Sequence, residues 1–378
     1  MNEPLIIPGP EPLALPAHPV LLQALLLLTF AIHVLFLSQV LGGGVLYLGA
    51  TVAARREPNH PLGRLAGWLA GLSPWMVAFT ITSGVAPLLF VQLLYGSFFY
   101  TSSVIMAWAW FSVIPLLVAG YYALYWVNMR GQDRPAGLRL AVGGLALAVF
   151  AFIAFLYITN LDLMQRPEVW PAAYFANPRG TSLITRPALL PLSLHVLLAA
   201  IALACLPVLL HGAAAAQSDP SYGQAVTRFG LAFFVPAALL QAVVAPWYAS
   251  SLIPSVREHL FDLGSPVGQL TVAAVVAGAL ALAVLVWARG RLSPTIAGAS
   301  LAVVAEVMLV IVRHVARNQT LAEYMPEGLW ATQPQTALVV LFLALLVAGL
   351  ATVGYMAFRV RRDLAVAAEA AKEQQMAG

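Results

Sequence analysis

Long apolar runs separated by short polar breaks make up most of this chain. Nine runs reach the roughly 20 apolar residues that a membrane-spanning helix needs: 20–53, 65–95, 98–128, 136–160, 189–216, 225–253, 266–289, 293–316 and 337–360. Their length, without two-residue alternation, predicts helices rather than barrel strands. Pro87, Pro115, Pro207 and Pro236 fall inside runs, which spanning helices tolerate because neighbouring groups re-satisfy the freed backbone. The expected fold is an all-α integral membrane protein of about nine transmembrane helices. Its layout is an outer Pro-rich leader (1–19), a transmembrane domain (20–360) and a charged, Ala-rich cytoplasmic tail (361–378) that reads as a short helix.

The breaks carry the orientation. Those at 54–64, 129–135, 217–224 and 288–292 are short and basic, whereas 160–188, 250–265 and 317–335 are longer and richer in Trp, Tyr and Pro. Most Lys and Arg fall on the first side, among them Arg55, Arg56, Arg64, Arg130, Arg134, Arg139, Arg289 and Arg291. Only Arg166, Arg179, Arg186, Arg257, Arg313 and Arg317 fall on the other. The positive-inside rule makes the first side cytoplasmic, with the amino terminus outside and the carboxyl terminus inside. A bacterial-type inner membrane is the expected location, with lipid as the surrounding partner. Residues 1–19 lack a basic n-region, so the first span is expected to insert uncleaved.

Composition sharpens this picture. With 61% hydrophobic and 9% charged residues, the chain is not a soluble globular protein. The net charge of +4 reflects topology, not nucleic-acid binding. Cys205 is the single cysteine and lies in mid-span, so no internal disulfide forms. No Cys-x-x-Cys-His motif is present, which excludes covalently attached c-type haem. The segment "LGGGVLYLG" at 41–49 follows no strand and lies inside a span; close helix packing accounts for it better than a phosphate loop does.

Three of the seven histidines lie in or at the end of apolar runs: His33, His195 and His314. Ionisable residues inside a membrane are costly and mark functional sites, and neutral imidazole is the usual axial ligand of haem iron. All three are expected in the outer half of the bilayer as metal ligands for one or two b haems. The competing reading for His33 is a hydrogen bond to another helix, and for His314 an interfacial pair with a loop carboxylate. Arg313 and Arg317 are expected cofactor-binding residues, facing haem propionates. Glu306, two turns before His314, is either a protonated acid bonded across helices or a proton-path carboxylate. Arg257, Glu258 and His259 in "VREHLFD" form a charged cluster where a quinone head group could bind. His18, His60 and His211 read as solvated or interfacial.

Several motifs carry a resemblance to a known family. "SGVAPLLFVQLLYGSFFY" (83–100) resembles the third-helix region of subunit I of cytochrome bd-type quinol oxidases, with Gly84, Val85 and Gly96 in register. "NLDLMQRPEVW" (160–170) is similar to the stretch after the family's helix 4, through Asn160, Met164, Gln165 and Pro167. "RPALLPLSLHVLLAA" (186–200) resembles the run leading to the helix-5 histidine, which makes His195 the counterpart of the low-spin haem b ligand. "FAIHVLFLSQVLGG" (30–43) resembles the helix-1 segment, where a histidine ligates a second haem; His33 takes that place. The resemblance covers the first five or six spans and implies a bd-oxidase subunit I-like haem-binding bundle.

Four departures bear on function. Gln92 stands where the family has an acid tied to the oxygen-reducing haem. Span 7 offers no Met or His opposite the low-spin histidine. "IVRHVARNQTL" replaces the helix-8 glutamate motif, with His314 near the glutamate's place. The quinol-binding loop shrinks to about a dozen residues around "IPSVREHLFDLG". Iron closed by two imidazoles suits electron transfer rather than oxygen binding. The expectation is a membrane cytochrome b subunit, moving electrons between quinol or quinone and a periplasmic c-type cytochrome or other redox subunit. Its rivals are an oxygen-reducing bd-type oxidase subunit and a haem-free membrane anchor.

Overall fold

The computed structural model describes residues 14–57, 59–131, 133–176, 186–325 and 327–377. Its helices are α1 (Pro19–Ala54), α2 (Pro61–Phe111), α3 (Val113–Met129), α4 (Ala136–Met164), α5 (Trp170–Ala176), α6 (Leu189–Ala215), α7 (Pro220–Ser250), α8 (Pro254–Phe261), α9 (Pro266–Ala288), α10 (Leu292–Leu321) and α11 (Thr336–Ala377). Eight of the described helices are long and apolar enough to cross a membrane, and α3 is a shorter apolar helix. The chain is an all-α, multi-pass membrane protein.

Two expected boundaries need correction. The second and third runs were expected to separate near residues 96–97. The backbone does leave the helical region beside that point, at Tyr95 (φ −135°), but a second break at Ala107 (φ 40°) splits the third run as well, within the 51 residues of α2. A straight helix of that length would reach about 75 Å, far beyond a bilayer. The two breaks divide it into a spanning part, a short segment over 96–106 and a turn into α3. α3 then runs back along the first part of α2. Gly71 faces Asn128, and Val77 shares a core cluster with Leu116, Leu117 and Leu124. The second correction concerns the tail, which is no separate short helix: α11 continues through it to Ala377.

The packing has two compact units. The smaller comprises residues 14–22 and 330–377. In it the Leu15 N–H donates to Ala331 O (2.7 Å), the Gln333 N–H to Leu15 O (2.9 Å) and the Gln335 N–H to Pro16 O (2.8 Å). The larger unit spans residues 23–329 and holds all three span histidines.

Within the larger unit the two ends differ. At one end Arg64 on α2 bridges Asp219 before α7 (2.7 Å), and the His211 ring on α6 stacks on Trp68 at 4.4 Å. A large apolar core lies in this half, where Leu46, Leu65, Leu69, Val208, Val226 and Phe229 are buried together. At the opposite end Arg186 pairs with Asp162 and donates to Ser251 O (3.3 Å), tying α4, α6 and α7. We call this the outer end, after the charge pattern. Small residues allow close packing between helices: a Cβ on Gly42 of α1 would stand 2.2 Å from Ala200 O on α6. The run "LGGGVLYLG" therefore serves helix packing.

Candidate functional site

His195 lies six residues into α6, about 9 Å below its outer start. Its Nδ1 is buried with no hydrogen-bond partner among the described residues. The ring lies beside Tyr248 of α7, with centroids 5.8 Å apart. Gln241, one helical face down, donates to His195 O at 3.0 Å, yet its own Oε1 is buried without a partner, as is Ser193 Oγ. Each such orphaned polar atom costs about 1–3 kcal/mol. An imidazole without a protein partner fits an iron ligand.

His33 is held differently. Its Nδ1 donates to Thr80 O on α2 at 3.0 Å, in the tautomer that leaves Nε2 with a free lone pair. Ligand histidines are commonly fixed in this way. The ring packs against Gly84: a Cβ there would stand 2.7 Å from His33 Cε1. Phe30, one turn earlier, lies 6.4 Å from the His33 ring and takes the Arg313 guanidinium over its face at 4.8 Å. Arg313 also interacts electrostatically with Tyr248 and Arg317. Phe30 thus connects the His33 ring to Arg313.

His314 is buried in a hydrogen-bonded cluster rather than standing open. Arg317 Nη2 donates to its Nδ1, so Nε2 carries the hydrogen and donates to Gln23 Oε1 at 3.1 Å. Arg317 also donates to Tyr95 OH (3.3 Å) and covers that ring at 4.3 Å, while Tyr95 OH donates to Asn318 Oδ1 at 2.6 Å. The break at Tyr95 brings the phenol into this cluster. Among the described residues neither Arg313 nor Arg317 pairs with a carboxylate, and Arg317 Nε is buried without a partner. A buried cation without counter-charge is costly, so Arg317 fits an anionic group such as a propionate; Arg313, one turn before it on α10, is exposed. Iron ligation by His314 requires it to give up Gln23 or Arg317.

The remaining expected site residues sit on α8 and α10. Glu306 is half-buried on α10 and makes no ion pair among the described residues. Arg257, Glu258 and His259 sit on α8, which packs through Val256 and Leu260 with Val267 and Val312 onto α9 and α10. Arg257 Nη1 reaches Ser250 O at 3.5 Å, and Glu258 is exposed. Arg179 lies outside the described residues. No group of three or more His, Cys, Asp or Glu side chains converges on one point among the described residues. Sequence reasoning missed Thr80, Tyr95, Gln23, Gln241 and Tyr248; only Tyr95 lay in a motif already singled out.

No protein-family model and no curated protein matches this sequence. Among solved structures, the chain is similar to the bd oxidase from Geobacillus thermodenitrificans, with a TM-score of 0.71 and 15% identity, covering 92% of this chain and 99% of that one. At this identity the likeness speaks for the fold, and the chain has a cytochrome bd subunit I-like fold.

Proposed function

We propose that this chain is a membrane cytochrome b subunit, carrying electrons between quinol or quinone and a periplasmic c-type cytochrome or other redox subunit. The observation that carries the reading is the His195 imidazole, inside a span with its Nδ1 buried and unpartnered among the described residues, in a fold like that of a bd oxidase. His195 and His33 would hold one b haem each, and Arg313 and Arg317 would meet their carboxylates. Bound haem supplies a one-electron carrier. The protein's own residues do the rest. Thr80 fixes the His33 tautomer, Tyr248 flanks His195, and the apolar spans exclude water. His314 we assign to orienting Arg317 rather than to iron, because both of its ring nitrogens are engaged. Arg257, Glu258 and His259 on α8 remain the proposed quinone contacts, and Glu306 the proposed proton-path carboxylate.

Gln92 supports electron transfer over oxygen reduction, since an amide carries no proton where the oxidases have an acid. Protein purified with its native partners should show negligible oxygen uptake with reduced quinol and little carbon monoxide binding. Rapid, cyanide-sensitive uptake would favour the oxidase instead.

A further inference from the structure

Asp162 stands at the outer end of α4, near a half-buried aromatic and an exposed carboxylate. On its inner side is Tyr248, whose ring flanks His195 at 5.8 Å and which interacts electrostatically with Asp162, Arg186 and Arg313. On its flank Arg186 holds it in an ion pair, with side-chain exposures of 25% for Arg186 and 16% for Asp162. On its outer side are Arg166 and Glu168. These two pair at 3.1 Å, with the Glu168 side chain 45% exposed. Tyr324 OH donates to Glu168 at 3.4 Å. The groups facing Asp162 are thus two cations, one carboxylate and one phenol. Arg186 also donates to Ser251 O, so it keeps a partner when Asp162 is protonated. Trp247, next to Tyr248, and Leu190, four residues after Arg186, are exposed apolar side chains that suit a lipid-borne substrate.

We propose that Asp162 is the proton acceptor for a quinol oxidised beside His195. This rests on the reading that His195 holds the electron acceptor. The chemistry balances. Both quinol O–H bonds break and two C=O bonds form. The two electrons would go singly to the one-electron acceptor that His195 would hold, and the partner redox subunit would reoxidise it. The two protons go in turn to the Asp162 carboxylate and then, past Glu168, to water. Glu168, Glu258 and Asp262 are exposed, and Glu306 lies deeper on α10. Asp162 is the described carboxylate joined both to the Tyr248–His195 contact and to the exposed rim.

The test is stopped-flow reduction of the purified complex by a short-chain quinol, across neutral and mildly acidic pH. The wild type should be reduced faster as pH rises, because the ionised carboxylate is the acceptor. Asp162→Asn should slow reduction about a hundredfold, the low end for acid–base catalysis, and flatten the pH profile. Dithionite should still give both proteins the same spectrum. Asp162→Glu should recover most of the rate and the pH dependence. An Asn variant with wild-type rate and profile overturns the assignment of Asp162 alone. Wild-type haem that dithionite reduces and quinol does not overturns the electron-transfer reading as well. If the Asn variant loses its haem spectrum, Asp162→Glu decides. Intact haem and a pH-dependent rate support the assignment; haem lost there too makes the pair a structural strut and overturns it.

Discussion

Replacing Gly84 by alanine probes the seat of His33 most directly. The new Cβ would stand 2.7 Å from His33 Cε1 and 2.8 Å from Nδ1. Carbon atoms rest at about 3.5–4.0 Å, so the ring or the helix must withdraw by about 1 Å. α1 has little room to move as a body, because Gly42 already lies against the Ala200 carbonyl. The ring is therefore expected to yield and to lose its 3.0 Å bond to Thr80. Overpacking costs about 1–3 kcal/mol and the lost hydrogen bond about 1 kcal/mol. Gly43→Ala, on the helix that carries His33, is the control, since nothing lies within 4 Å of a Cβ there. Thermal unfolding in detergent, with absorbance of the purified protein, reads both effects. Gly84→Ala should be less stable than Gly43→Ala by about 2–4 kcal/mol. It should also disturb one haem signal and leave that of His195 in place. Equal stability with an unchanged spectrum would refute the proposed seat of His33.

Three further outcomes are expected. His195→Ala should delete a low-spin haem signal while the protein still inserts; an unchanged low-spin spectrum rejects that ligand. Asn160 is fully buried, accepts from Ser102 Oγ at 3.1 Å and donates to Ser103 Oγ at 3.1 Å. Asn160→Ala should destabilise by about 1–3 kcal/mol in thermal unfolding, and no change would mean that the 96–106 segment is held by other contacts. The Arg64 side chain, then the Tyr222 N–H, hold the Asp219 carboxyl below its ordinary value of 3.8. Its folded-state value is depressed, so this link stabilises above the unfolded value and is lost as pH falls through the folded one. Asp219→Asn should therefore lower stability at neutral pH and leave less to lose on acidification, as read by unfolding at both pH values.

Hydropathy made the spans legible because a bilayer demands unbroken apolar length, and Pro19–Ala54 and Leu189–Ala215 agree with the expected 20–53 and 189–216 to within a residue. The break at Tyr95 lies beside the separation expected at 96–97, where Gly96 and Ser97 interrupt the apolar run, whereas the break at Ala107 escaped because "VIMAWAWF" (104–111) passes through it without a polar residue. The tail was read as helical, but its continuity with the last span escaped, because charge, read as an ending, does not stop a helix rich in Ala. His33 and His195 stood out as polar residues in apolar surroundings. Their settings did not, since Thr80 and Gln241 lie far away in sequence. Gln23 sits 291 residues from His314, and no local pattern could join them. Trp170, in one of the longer breaks rich in Trp, Tyr and Pro, is buried and donates through Nε1 to Leu163 O at 2.9 Å, whereas Tyr174 is exposed.

The proposal that this chain carries b haem on its span histidines is tested most directly by a pyridine haemochrome assay with a reduced-minus-oxidised spectrum. Both should be taken on protein purified with its native partners. The account predicts protohaem with a low-spin b-type spectrum that quinol reduces. Protein that is folded, inserted and free of protohaem would contradict it and leave the histidines as hydrogen-bonding residues of a membrane anchor.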